Sequence, residues 1–157
     1  MKRIISALII CTMSLICLTG CGKTYDEKFI GKWEAFEMVI DGTTYEDYYG
    51  VPLNAMVQFD IQDKGKGEWH SPMSETDGSS SGMLIDWEQK NDTTIAIKAY
   101  IKNDKDSEQN FSMSYGGETL SYFNDGVEFR MKRVDSFAVY TKEELTQMFS
   151  SLIYSMQ

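Results

Sequence analysis

The side chains able to do chemistry are few, and their spacing decides which uses survive. Three cysteines are present, Cys11, Cys17 and Cys21. The first two fall inside an apolar run from Ile4 to Leu18 that follows Lys2 and Arg3. Charged, then apolar, then small is the order of a secretory signal, and the run falls short of the roughly 18 apolar residues a membrane span needs. Cys21 stands just past it, after Leu18-Thr19-Gly20. An ordinary signal cut prefers small residues one and three positions before it; Gly20 fits and Leu18 does not. The single histidine, His70, has Glu68 for company, whereas zinc sites usually draw on several His or Cys. Asp104, Asp106 and Glu108 alternate like the start of a calcium loop. Gln109 stands where the loop's glycine belongs, and Tyr115 where its bidentate glutamate belongs. Gly78-Ser79-Ser80-Ser81-Gly82 has the Gly-x-Ser-x-Gly spacing of a hydrolase elbow. That elbow needs a strand before it, a helix after it and a later histidine. Ser80 instead follows a polar loop, precedes a strand and comes after His70. Acidic residues are spread over every turn, so no carboxylate pair stands out for acid–base work. No enzyme, metal or cofactor is expected. What remains is aromatic: Tyr45, Tyr48, Tyr49 and Trp69 offer flat apolar faces and hydroxyls to a sugar or an apolar ligand, or else pack as a lid.

The elements that must hold these residues are short and alternating. Trp33, Ala35 and Glu37 share one parity of a first strand; Phe36, Met38 and Ile40 share the other. Asp41-Gly42-Thr43 ends it. Thr44 to Leu53 is a tyrosine-rich insert with room for one helical turn, which Gly50 and Pro52 limit. Val57, Phe59 and Ile61 then alternate with polar residues, followed by Trp69 between Glu68 and His70. Ser71 to Gly82 reads as a polar loop. Met83, Ile85 and Trp87, then Ile95, Ile97, Ala99 and Ile101, line further strands. Asn103 to Glu108 reads as a charged turn before Phe111, Met113 and Tyr115. Gly116-Gly117 is the strongest two-residue hairpin signal. Leu120 and Tyr122, then Val127, Phe129 and Met131, complete about eight strands. Tight turns between them indicate an antiparallel meander. Each strand has one apolar face, so the sheet must roll up, giving an all-β barrel; a two-sheet sandwich is the alternative.

The period changes at the end. Leu145, Met148, Phe149, Leu152, Ile153 and Met156 make one helical face over Thr141 to Gln157. Thr141 with Glu144 forms a capping box. So short a helix is marginal alone, and its face is expected to dock outside the barrel, burying Phe149 and Leu152.

The formal charge is −9, and loss of Lys2 and Arg3 with the leader makes it more negative by two. Nucleic acid, which needs clustered Lys and Arg, is thereby excluded as a partner. Without Cys11 and Cys17 only Cys21 is left, so a disulfide within the exported chain is excluded and the apolar core must suffice.

Leu18-Thr19-Gly20-Cys21 resembles the lipobox of bacterial lipoproteins. In that family the Cys thiol receives a diacylglyceryl group and the chain is cut before it. The resemblance implies a signal peptide at 1–20, a lipidated Cys21 with a tether through residue 28, and a domain at 29–157. Seven extended tether residues reach about 25 Å. The mature protein would face outside the cytoplasm, held to the cell membrane by lipid. Gly31-Lys32-Trp33 resembles the Gly-x-Trp on the first strand of lipocalins. There the Trp plugs the closed end of an eight-stranded barrel and an Arg from the last strand stacks across it. Arg133 shares the parity of Val127, Phe129 and Met131 and is its counterpart. Ile30-Gly31-Lys32-Trp33-Glu34, Ile40-Asp41-Gly42, a short insert and a meander look like the small lipocalin-like domains of bacterial surface lipoproteins, over Phe29 to Val134. The resemblance implies a binding module, and a monomer is expected. The acidic chain would repel a strong anion, so the expected ligand is small and apolar, amphipathic or a sugar, near Tyr45, Tyr48, Tyr49 and Trp69. The other reading is a filled barrel that engages an envelope protein or glycan through loops or outer face. Trp33, Trp69, Trp87, Phe59, Phe111, Phe129 and Tyr122 all have inward parity, which favours a narrow interior.

Overall fold

The structure, a computed structural model, describes residues 25–75 and 82–155. The leader, Cys21, Ser80 and Met156 lie outside the described residues. In chain order the strands are β1 (Gly31–Ile40), β2 (Thr43–Tyr45), β3 (Asp47–Tyr48), β4 (Val51–Pro52), β5 (Gln58–Gln62) and β6 (Lys66–His70). They continue as β7 (Met83–Gln89), β8 (Thr94–Ile101), β9 (Asp104–Gly116), β10 (Thr119–Asn124) and β11 (Val127–Val134), and helix α1 (Lys142–Ser155) follows. Strands β5 to β11 pair antiparallel in sequence, and β11 returns to β1 from Lys32↔Val134 to Ile40↔Val127. With the pairing of β1 to β5, eight strands close into an antiparallel barrel, and α1 lies outside it. Strand β9 already begins at Asp104, so the acidic stretch read as a turn is mostly strand.

Strand β1 carries the irregularity that its sequence parity hinted at. Its pairing with β11 slips between Ala35 and Glu37, leaving Phe36 as the extra residue of a bulge. The slip flips the alternation. Trp33 and Ala35 before it, and Met38 after it, are therefore all in the core, at 1%, 3% and 2% exposure. The same strand divides its other edge. Gly31 to Glu34 pair with β5, whereas Met38 to Ile40 pair with β2. The gap between β1 and β5 is filled by the insert. Ala35 N donates to Val57 O, and a 3-10 turn at Leu53–Ala55 buries Leu53 and Ala55 there. The insert thus holds two short strand pairings and then a turn, placed after Pro52 rather than before it. On the opposite side, Gly67 is required by packing: a Cβ there would meet Asp60 O at 2.2 Å.

The closed end is filled and satisfied. Trp33 Nε1 donates to Phe29 O at 2.9 Å, and Trp87 Nε1 to Gln62 O at 2.8 Å and Lys66 O at 3.1 Å. The guanidinium of Arg133 lies 4.8 Å from the Trp33 ring centre and donates to Lys28 O. Arg133 itself is exposed, not buried as expected, because it caps the barrel from outside the plug. Residues 25–28, assigned from sequence to the tether, are docked here. Tyr25 sits edge-on against Trp87 at 4.8 Å, and Asp26 N donates to Gln89 Oε1 at 3.0 Å.

From Val134 the chain runs back along the outer wall. Glu34, 4% exposed, accepts from Asn54 Nδ2, Gln58 Nε2 and Ala138 N, and Gln58 Nε2 also donates to Ala138 O. Tyr140 OH donates to Asn54 Oδ1. This strap delivers α1 to the open end. Its capping box forms: Glu144 N donates to Thr141 Oγ1 at 3.2 Å, and Thr141 N to Glu144 Oε2 at 2.7 Å. Leu145 is the residue buried, at 7% exposure, while Phe149 is 48% exposed, so the expected burial of Phe149 is corrected. The helix meets β4 and the turn at Pro72–Glu75, and Leu152 is half-buried.

Candidate functional site

The interior of the barrel is packed with large side chains among the described residues. Phe59 stacks on Trp69 at 5.3 Å and 21°, and Phe111 and Tyr122 meet both rings at 5.6–6.1 Å and each other at 4.6 Å. Below them Ile61, Ile95, Met113, Leu120 and Met131 are at 0% exposure. Two clefts lie at the open end, where β1 ends, the insert begins and β6 gives way to residue 71 onward.

One cleft there, of about 370 Å³, is the mouth of the barrel. Met56, Val57, Trp69, Tyr122 and Phe129 form its floor and walls, and Phe149 of α1 reaches it from outside. Tyr122 stacks on Phe129 at 6.2 Å and 18°. Burial, with a smaller contribution from Asp125, pushes the Tyr122 phenol up, so it stays neutral at ordinary pH. Trp69 Nε1 is buried and has no hydrogen-bond partner among the described residues. A lone buried donor costs about 1–3 kcal/mol.

A second cleft, of about 300 Å³, lies in the insert, lined by Met38, Ile40, Tyr45, Asp47, Tyr48 and Tyr49. The sequence grouped Trp69 with Tyr45, Tyr48 and Tyr49, and the structure separates them. Trp69 belongs to the mouth and the three tyrosines to the insert. The dividing wall is a register pair: Met38 lines one cleft and its β11 partner Phe129 the other. The sequence missed Met56, Met73 and Phe149 at the mouth. Inward parity near the open strand ends pointed to Tyr122 and Phe129, but nothing local marks Met73 or turns Phe149 toward the cleft.

The remaining candidates have structural partners. His70 Nε2 lies 3.2 Å from Glu68 Oε2, and its ring meets Phe137 at 5.7 Å. Glu108 pairs with Lys98 at 2.5 Å, and Asp104 Oδ1 accepts from Asp106 N. No group of three His, Cys, Asp or Glu able to hold a metal occurs among the described residues.

No protein-family profile matches the chain, and no curated protein matches it. Among solved structures, the chain is similar to a lipocalin-like protein from Bacteroides uniformis, at 18% identity and a TM-score of 0.47, over 68% of this chain and 99% of that one. It is also similar to an uncharacterized protein from Bacteroides eggerthii, at 15% identity and a TM-score of 0.44, over 67% of this chain and 98% of that one.

Proposed function

We propose that the protein is a lipid-anchored, non-catalytic binding module on the outer side of a membrane, and that its barrel mouth holds one small apolar or amphipathic molecule. The observation that carries this reading is the mouth cleft: aromatic and thioether walls beside a buried indole N–H that has no acceptor among the described residues. Its volume is at the small end for ligand sites. The indole favours a ligand with one oxygen acceptor, such as a carbonyl, ether or hydroxyl, on an apolar body. Residues 25–28 dock on the closed end, and four residues from Cys21 to Tyr25 reach at most about 14 Å. A lipid on Cys21 would therefore hold the closed end toward the bilayer and the mouth outward.

Titration with Nile red, a neutral apolar dye, tests the mouth, together with native mass spectrometry of protein taken from its own cells. Saturable binding that quenches indole emission and weakens on Phe129→Ala is the expected result. No saturable binding and no co-purified ligand would overturn it. Anchoring is tested by Cys21→Ala, which should release the protein or leave it uncut; a cut form that stays with membranes would refute it. The second reading, a scaffold that binds an envelope protein or glycan, draws on the filled interior described above.

A further inference from the structure

The insert cleft has a chemistry of its own. β3 and β4 are joined by the two-residue turn Tyr49-Gly50, with Tyr48↔Val51 and Asp47↔Pro52 in register. Both central residues have positive φ, 53° at Tyr49 and 81° at Gly50. Hairpins of this kind favour Asn or Asp at the first central position, and a bulky residue there is an outlier. Strained backbone of this sort clusters at functional sites. Tyr49 is 53% exposed, so its ring gains little from the core that would compensate the strain. What the strain achieves is placement: Tyr49 stands at 73° to Tyr48, ring centres 4.7 Å apart. The pair makes a corner rather than a flat plate, and Tyr45, 43% exposed, adds a third ring to the cleft.

The charge around this corner has one sign. Asp47 lines the cleft, and its Oδ1 accepts from Gly50 N at 2.8 Å. Asp41 and Glu46 flank it in sequence, and no Lys or Arg occurs between Lys32 and Lys64. On the neighbouring strand, Arg130 is already held by Glu37 and Glu128. Aromatic faces and a carboxylate, without a competing cation, attract a cation with an apolar surface. A sugar would find a corner where it needs a plate. We propose that Tyr45, Tyr48, Tyr49 and Asp47 form a second binding site, separate from the mouth, for a small quaternary or methylated ammonium ion.

The test is calorimetric titration of the full domain with choline and with its neutral isostere, 3,3-dimethylbutan-1-ol. Choline should bind saturably and the isostere roughly tenfold more weakly or not at all. Asp47→Asn keeps the turn hydrogen bond and removes the charge, and should weaken choline about tenfold. Tyr49→Asn is the decisive variant: it relieves the strained φ, so it should keep or raise the melting temperature while choline binding is lost. Phe149→Ala, on α1 and 48% exposed, should leave choline affinity unchanged, which separates this site from the mouth. Sedimentation with phosphatidylcholine vesicles distinguishes the source: co-sedimentation lost on Asp47→Asn assigns the same site to a lipid headgroup, and its absence to a free ion. Failure of choline to bind, equal binding of the isostere, or unchanged affinity in Tyr49→Asn and Asp47→Asn would overturn the proposal.

Discussion

The three tryptophans of this chain set its two ends against each other. Trp33 and Trp87, at the closed end, each give their indole N–H to a backbone carbonyl. Trp69, at the open end, gives its own to nothing among the described residues. All three lie on the inner face of the same barrel, but Trp33 and Trp87 are buried whereas Trp69 is only partly so. The difference lies in who packs the neighbourhood. At the closed end Phe29 brings a carbonyl to Trp33, and the turn between β5 and β6 brings two to Trp87. At the open end aromatic rings and methionines dominate the surroundings of Trp69, and among the described residues none of the polar groups there accepts from its indole. One end is built for stability, and the other keeps a polar demand unmet.

Substitutions can break this contrast. The largest effect is expected for Trp33→Ala, which empties the plug at 1% exposure and strands Arg133. Urea denaturation should register a loss of about 3–5 kcal/mol. Truncation after Val139 removes α1 and uncovers the site of Leu145. A loss of about 2 kcal/mol is expected, with Nile red affinity falling as the Phe149 wall disappears; an unchanged melting temperature would mean that the helix serves a partner instead. The sharpest test is a matched pair. Trp87→Phe leaves two carbonyls without their donor and should cost about 1–2 kcal/mol, whereas Trp69→Phe removes an unmet donor and should be neutral or stabilising. Equal costs would dissolve the distinction between the ends. The smallest effect concerns acid. The Thr141 amide, then its hydroxyl, hold the Glu144 carboxyl below the usual range. A folded value below the unfolded one stabilises the helix above the unfolded value of about 4.3, and that help fades as pH falls through the folded value. Helical circular dichroism should therefore decline in that acid window, and Glu144→Gln should remove this step.

Much of this frame was legible in the chain. Strand count and closure follow from alternation, and the capping box from contacts three residues apart, where physics is local; the pairing of Trp33 with Arg133 was what the resemblance implied. The rest depended on partners. Phe36 sits on the wrong parity only because a bulge opposite β11 absorbs it, and nothing in β1 alone reveals the slip. Trp69 parted from Tyr45, Tyr48 and Tyr49 because β2 takes over the upper edge of β1 and carries the insert aside. Tyr49 does not look like a turn residue, so the hairpin at Tyr49-Gly50 was hidden. Which flank of α1 docks was set by where the strap from Glu34 delivers it, so the helical periodicity alone could not choose Leu145 over Phe149.

The divided edge of β1 has a consequence for assembly. Closed barrels resist self-association because they present no free row of amides and carbonyls. Here the barrel closes, but above Glu34 β2 rather than β5 covers the edge of β1, over Met38 to Ile40. The insert is therefore a guard as well as a wall. A chain shortened through residues 43–52 would keep its plug but lose the buried Val51 and expose a short strand rim. Two such rims are complementary to each other, and the shortened protein would dimerise or aggregate more readily with rising concentration than the intact one. Tolerance of this loop to change is thus limited by what neighbouring molecules would do as well as by the stability of the single fold.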